Sequence, residues 1–218
     1  MNHSFENYVI VRENYFNDPD LIVDLSKTQA YKRGTIYPGM RTGNLLESQD
    51  FETRTFARHF AERLSFDVFP TISNFTISVY FHQNEVYENE ILNKGWIHND
   101  DSLLAGLVYL NKDEEDFCTG TSFFNEIGKE NPEDEKARKE FNLNLEVSNQ
   151  YILSLKNNWN QFTETVKVGN KYNRLLAYDA KMFHRPNNYK LKSNNPRLTL
   201  LFFISKFDYI KHEWSNKY

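Results

Sequence analysis

Phe75-Thr76-Ile77-Ser78-Val79-Tyr80-Phe81 decides the fold class of this chain. Apolar residues take every second position, the period of a strand with one face buried. Downstream, Trp96 to Asp100, Leu103 to Leu110, Thr121 to Phe124, Arg174 to Tyr178, Met182 to His184 and Arg197 to Phe207 also have strand composition. So many short strands predict a barrel or a sandwich. Upstream of Pro70 the texture differs. Residues 8–12 read as a short strand, and Asp18-Pro19-Asp20 ahead of Leu21, Ile22 and Leu25 as an N-capped helix. From Thr53 to Phe66, the spacing of Phe56, Phe60 and Leu64, with Ala57 and Ala61 beside them, predicts a helix with one inward face. Pro38, Gly39 and Gly43 mark a loop between the two helices.

One stretch interrupts the strands, from Pro132 to about Asn160. It opens Glu133-Asp134-Glu135-Lys136-Ala137-Arg138-Lys139, acids before bases, as a helix N-terminus favours. Val147, Tyr151, Leu155 and Trp159 continue at four-residue spacing and predict a second helical piece, although Tyr151, Leu153 and Leu155 also fit a strand. The acidic run Asp113 to Asp116 lacks the spacing and glycine of a calcium loop and predicts a solvated turn.

With 218 residues and no composition break, the chain reads as one domain spanning 1–218. Flanking helices fall at about 1–70, a β core at about 71–207, and the helical insertion at about 132–160. Hydrophobic residues make up only 39%, but 18 Phe and 13 Tyr can fill a core from fewer positions. The net charge is −4 and the 26 basic residues are scattered, so no stripe suits a phosphate backbone and nucleic acid is not an expected partner. The single cysteine, Cys118, excludes an intramolecular disulfide. Met-Asn-His-Ser-Phe-Glu shows no basic and apolar leader pattern, and no apolar run approaches membrane-spanning length. The expected location is the cytoplasm, with no membrane contact.

His98-Asn99-Asp100 carries the first chemistry. Residues two apart on a strand share a face, so one imidazole and one carboxylate converge without a turn. The pair alone is common by chance. Arg174 to Pro186 then reads as a strand, a polar turn and a second short strand containing His184, a third possible ligand. Two His and one carboxylate on one face is the arrangement of non-haem iron(II) oxygenases. Further on, the apolar strand from Arg197 begins with Arg197 and Thr199 on one face. A buried guanidinium needs an anion, and a hydroxyl two residues on adds another hydrogen bond to the same group. His82, at a strand's end, could approach the barrel mouth but is expected in a supporting or surface place, and His59 on its helix is expected packed or solvated.

The order His98-x-Asp100, Val108-Tyr109-Leu110-Asn111-Lys112, Gly120-Thr121-Ser122-Phe123, His184, then Arg197-x-Thr199 resembles the prolyl-hydroxylase-like branch of the iron(II)/2-oxoglutarate-dependent dioxygenases, over about Phe75 to Phe207. The resemblance implies a mainly β fold with flanking helices, a double-stranded β-helix of the jelly-roll or cupin-like kind. It implies that His98, Asp100 and His184 hold Fe(II), and that Arg197, assisted by Thr199 and Tyr109, binds the distal carboxylate of 2-oxoglutarate. The implied reaction uses O2, releases succinate and CO2, and hydroxylates a small-molecule or peptidyl substrate. Halogenating relatives replace the carboxylate ligand with a small residue; here Asp100 remains, which favours hydroxylation or desaturation.

Family geometry places substrate at the barrel mouth, where Tyr37, Arg41, Tyr87, Trp96, Asn125 and Arg185 are candidate contacts. Arg41 and Arg185 would suit a carboxylate-bearing substrate. Two alternatives share the fold: a non-catalytic jelly-roll binding module, and a cupin-like metalloenzyme that does not use 2-oxoglutarate.

Overall fold

The computed structural model describes residues 6–34, 37–112, 115–128, 141, 147–193 and 195–210. Among them, ten strands form two antiparallel sheets. The strands are β1 (Val9–Arg12), β2 (Tyr31–Arg33), β3 (Met40–Thr42), β4 (Ile72–Asn84), β5 (Leu104–Tyr109), β6 (Asp116–Glu126), β7 (Phe162–Asn170), β8 (Leu175–Asp179), β9 (Phe183–Pro186) and β10 (Arg197–Tyr209). The larger sheet runs β1-β8-β5-β10-β4-β3-β2 and the smaller β7-β6-β9. The first seventy residues therefore add three strands to the large sheet as well as helices.

The two-residue period of the large sheet creates two different surfaces. On the outer face, Val79 and Phe81 of β4, Val108 of β5, Leu175 and Ala177 of β8, and Leu200, Phe202 and Ile204 of β10 join one apolar cluster. On the inner face, Ala105, Leu107, Tyr109, Leu176 and Tyr178 pack toward Phe123 and Val168 of the small sheet. The residues between those apolar ones on β4 and β10, namely His82, Asn84, Arg197 and Thr199, are polar and buried.

Two helices close the outer face. In α1 (Pro19–Lys27) Asp18 caps the end, accepting from Leu21 N, and Pro19 needs no partner for its nitrogen. In α2 (Phe51–Asp67) Asp50 accepts from Thr53 N at 2.7 Å, and Ala57, Phe60, Ala61 and Leu64 form the buried stripe. Phe60 meets Phe202 edge-on at 5.9 Å and Phe56 stacks over Phe81 at 6.3 Å. Each buried ring contributes roughly 1.5–3 kcal/mol.

The ambiguity at Tyr151–Leu155 resolves as helix: α3 (Asn149–Asn160) is capped by Ser148, which accepts from Tyr151 N. The helix expected over Glu133–Lys139 lies outside the described residues, as does part of the acidic turn; Glu115 pairs with Arg174. The strand expected at Trp96–Asp100 is extended chain with a single bridge, His98 to His184. It forms no ladder on its other side because α3 supplies the partners. Asn158 donates to Ile97 O and accepts from Ile97 N, and Trp159 Nε1 donates to Gly95 O at 3.1 Å.

Gly106 lies opposite Phe202 in the β5–β10 register, and a Cβ there would meet the Phe202 ring and the Leu176 carbonyl oxygen, each at 2.4 Å. The oxygen belongs to a ladder and has no room to yield. Gly106→Ala is expected to lower stability by about 1–3 kcal/mol, read as a fall in the urea midpoint. An unchanged midpoint would show that the sheet is looser here than this packing implies.

Candidate metal centre

His98 and Asp100 reach the site from the extended segment that α3 holds, and His184 from β9. The two backbones are locked by reciprocal bonds, His98 N to His184 O at 3.1 Å and His184 N to His98 O at 2.8 Å. Asp100 N donates to Ala180 O at 2.9 Å, which fixes the third residue relative to the same hairpin. The imidazole centroids stand 4.7 Å apart. One ligand atom from each of the three side chains lies within 4.8 Å of the others, the one such cluster among the described residues.

The tautomers follow from hydrogen bonding. His98 Nδ1 lies 2.9 Å from Trp96 O, and His184 Nδ1 lies 2.9 Å from Met182 O. A carbonyl only accepts, so both Nδ1 atoms carry a proton, and in the neutral ring Nε2 is then the nitrogen that offers a lone pair. His184 Nε2 is 3.4 Å from Asp100 Oδ2. Tyr178, its phenol kept protonated by burial, donates to His184 Nε2 at 3.1 Å. Two neutral imidazoles and one carboxylate fit a first-row divalent ion.

A cavity of about 890 Å3, counting its open mouth, runs from these three residues to Arg197. Arg197 is 3% exposed, and Nη1 donates to Asn84 Oδ1 at 3.2 Å. Its Nε and Nη2 are buried without a partner, as is Thr199 Oγ1. Buried unsatisfied donors cost about 1–3 kcal/mol each, more when charged. The arrangement therefore has room and unmet hydrogen-bonding capacity for an anion. Tyr109 sits with its ring 5.3 Å from the Arg197 guanidinium carbon, and its hydroxyl is 2.8 Å from Thr121 Oγ1. It is free to donate elsewhere only when Thr121 donates to it.

Of the expected substrate contacts, Tyr37, Arg41, Tyr87 and Trp96 line the cavity, whereas Arg185 and Asn125 do not. Arg185 follows His184 on the same strand and so projects to the opposite side, between Phe124 and Trp159 at 5.3 and 4.9 Å. Asn125 is exposed near the end of β6. Cys118, also on β6, is exposed as well.

Several contributors escaped the sequence reading. Asn84, Thr121 and Tyr178 line the cavity, and Asn158 holds the ligand-bearing segment. His82, for which a supporting or a surface place was expected, is buried, donates from Nε2 to Pro38 O at 2.7 Å, and has its pKa pushed down to about 3 by burial and by Arg41. Parity on β4 was the available signal: Tyr80, His82 and Asn84 fall between the outward Val79 and Phe81 and so point inward.

No curated protein matches this chain. Solved structures share its fold at low identity. HygX from Streptomyces hygroscopicus, with nickel, 2-oxoglutarate and hygromycin B bound, aligns at 12% identity over 91% of this chain and 83% of its own, with a TM-score of 0.59. A 2OG-Fe(II) oxygenase family oxidoreductase from Burkholderia pseudomallei aligns at 11% identity over 90% and 84%, TM-score 0.54. SnoN, a non-haem α-ketoglutarate-dependent epimerase from nogalamycin biosynthesis, aligns at 10% over 93% and 81%, TM-score 0.54. The profile of a family of unknown function, DUF6445, matches residues 3–204, and the chain belongs to that family.

Proposed function

We propose that this protein is an iron(II)- and 2-oxoglutarate-dependent oxygenase, a hydroxylase acting on a small-molecule or peptidyl substrate, on a double-stranded β-helix of the prolyl-hydroxylase-like branch. One observation carries the reading: a His-Asp-His cluster whose two Nδ1 atoms face main-chain carbonyls opens into the same cavity as a buried arginine lacking an anion. A binding module needs neither feature, and a metalloenzyme without 2-oxoglutarate leaves Arg197 uncompensated. The shared fold with HygX and the Burkholderia oxidoreductase supports it.

His98, Asp100 and His184 would hold the metal, and Arg197 with Thr199 the distal carboxylate of the cosubstrate, Asn84 fixing the guanidinium from behind. Bound iron with O2 supplies oxidative decarboxylation of 2-oxoglutarate to succinate and CO2, coupled to oxidation of a substrate C–H bond. The chain's own share is positional. Trp96 O and Met182 O hold the imidazoles in the ligating tautomer, and the apolar part of the inner face, Ala105, Leu107 and Leu176, limits water. With no helix among the described residues long and apolar enough to cross a membrane, the cytoplasm is the proposed location.

Anaerobic addition of Fe(II) and then 2-oxoglutarate to purified protein should give the visible charge-transfer band of the chelated cosubstrate; its absence would overturn the reading. Fe(II) or Ni(II) at about a hundred times its Kd should add about 2.7 kcal/mol to stability, visible as a rise in Tm that His98→Ala and Asp100→Ala abolish. Arg197→Ala should keep metal uptake but weaken 2-oxoglutarate by about 2–4 kcal/mol, roughly 30- to 1,000-fold. Equal 2-oxoglutarate affinity in wild type and variant would mean that Arg197 holds something else.

A further inference from the structure

The cavity contains a second guanidinium that neither the metal nor 2-oxoglutarate accounts for. Arg41 stands on β3, opposite His82 in register, and lines the cavity. Its guanidinium carbon is 3.8 Å from the Tyr37 ring centroid, with the Tyr80 and Phe203 rings at 5.4 and 5.6 Å. These rings shield the cation and fix its place, but ring faces do not satisfy the in-plane donors of the fork. Among the described residues no carboxylate or carbonyl accepts from Arg41, and its Nε is buried without a partner. His82 beside it is neutral and spends its Nε2 proton on Pro38 O.

The turn before Arg41 is constrained to this position. Gly39 adopts φ +82°, and a Cβ there would come within 2.2 Å of the Gln83 carbonyl oxygen. The chain can pass so close to β4 only because residue 39 is glycine. Arg41 is thus held by backbone geometry on one side and by aromatic rings on the other.

Arg41 and Arg197 enter the cavity from different strands. In the large sheet β4 lies between β3 and β10, so two strand spacings set their backbones roughly 10 Å apart. The charges also leave Arg41 over. Iron(II) and doubly ionised 2-oxoglutarate cancel, and Asp100 offsets one arginine, which leaves one guanidinium of the cavity lining without a counter-charge; Lys94, also on the lining, is exposed. The lining also includes Leu92, Tyr87 and Trp96, apolar and aromatic side chains that offer area but no charge.

We propose that Arg41 binds a carboxylate carried by the primary substrate, and that this substrate is a small monoanionic acid whose apolar or aromatic body lies against Leu92, Tyr87 and Trp96. A phosphate monoester would bring nearly two charges to a site that lacks one. The inference rests on the oxygenase reading and names the substrate class for it.

The test uses full-length protein loaded anaerobically with Fe(II) and 2-oxoglutarate. It is titrated with 3-phenylpropionate, 3-(indol-3-yl)propionate, N-acetylphenylalanine and hexanoate, each against its primary amide, reading the chelate band and Tm. At least one acid should bind about tenfold or more tightly than its amide, the order expected of a charge-assisted hydrogen-bonded pair. Arg41→Ala and Arg41→Gln should erase that preference while the 2-oxoglutarate affinity stays at the wild-type value, which also shows that the fold is intact. Acid and amide binding alike in every pair, or an Arg41→Ala variant that loses 2-oxoglutarate as Arg197→Ala does, overturns the assignment. Absence of the chelate band in the wild type overturns the oxygenase reading beneath it, a failure distinguishable from both.

Discussion

The reciprocal hydrogen bonds between His98 and His184 hold the site together, because they join two segments far apart in sequence at the residues whose side chains must converge. A strand pair normally gains its rigidity from a ladder, and here the ladder is a single bridge. The missing support comes from α3. Asn158 imitates a neighbouring strand by donating to and accepting from Ile97, while Tyr151 accepts from Trp96 Nε1 at 3.0 Å. The segment that carries two ligand candidates is thus clamped between β9 and a helix. Imidazole and carboxylate are held within reach of one ion without a regular strand beneath them.

The large sheet separates stability from chemistry. Its outer face forms a continuous apolar contact with α2, where aromatic rings interlock at about 6 Å. Its inner face tolerates groups that a core would reject: unpartnered Arg197 and Thr199 atoms and an unpaired Arg41 Nε. Each opposes folding by about 1 kcal/mol or more. A binding partner that satisfies them recovers that cost on association. The stability of the outer layer is what allows the inner one to remain unsatisfied.

Much of this arrangement was legible in the sequence, and the misses have definite causes. Alternation marked β4 and β10 because one face of each is apolar, and the same alternation paired His98 with Asp100 and Arg197 with Thr199. Arg185, expected at the barrel mouth from family geometry, lies off the cavity because strand parity turns it away from the side that His184 faces. The short strands β2 and β3 hold too few residues to show a period. The middle of β7, Thr163 to Lys167, is exposed and therefore lacks an alternating signature. Asn158 was invisible for another reason: its role exists only once α3 docks on the segment before His98.

Both histidines obtain the acceptor for Nδ1 from the main chain, each from the carbonyl two residues earlier, Trp96 and Met182. A side-chain acceptor can be lost in one substitution; a carbonyl cannot, since every amino acid brings one. The protonation pattern of the two imidazoles is therefore insulated from mutation at the positions that enforce it. A substitution at 96 or 182 therefore keeps the acceptor that sets which nitrogen faces the cavity. The same economy lets the pocket wall diversify while its chemistry stays fixed.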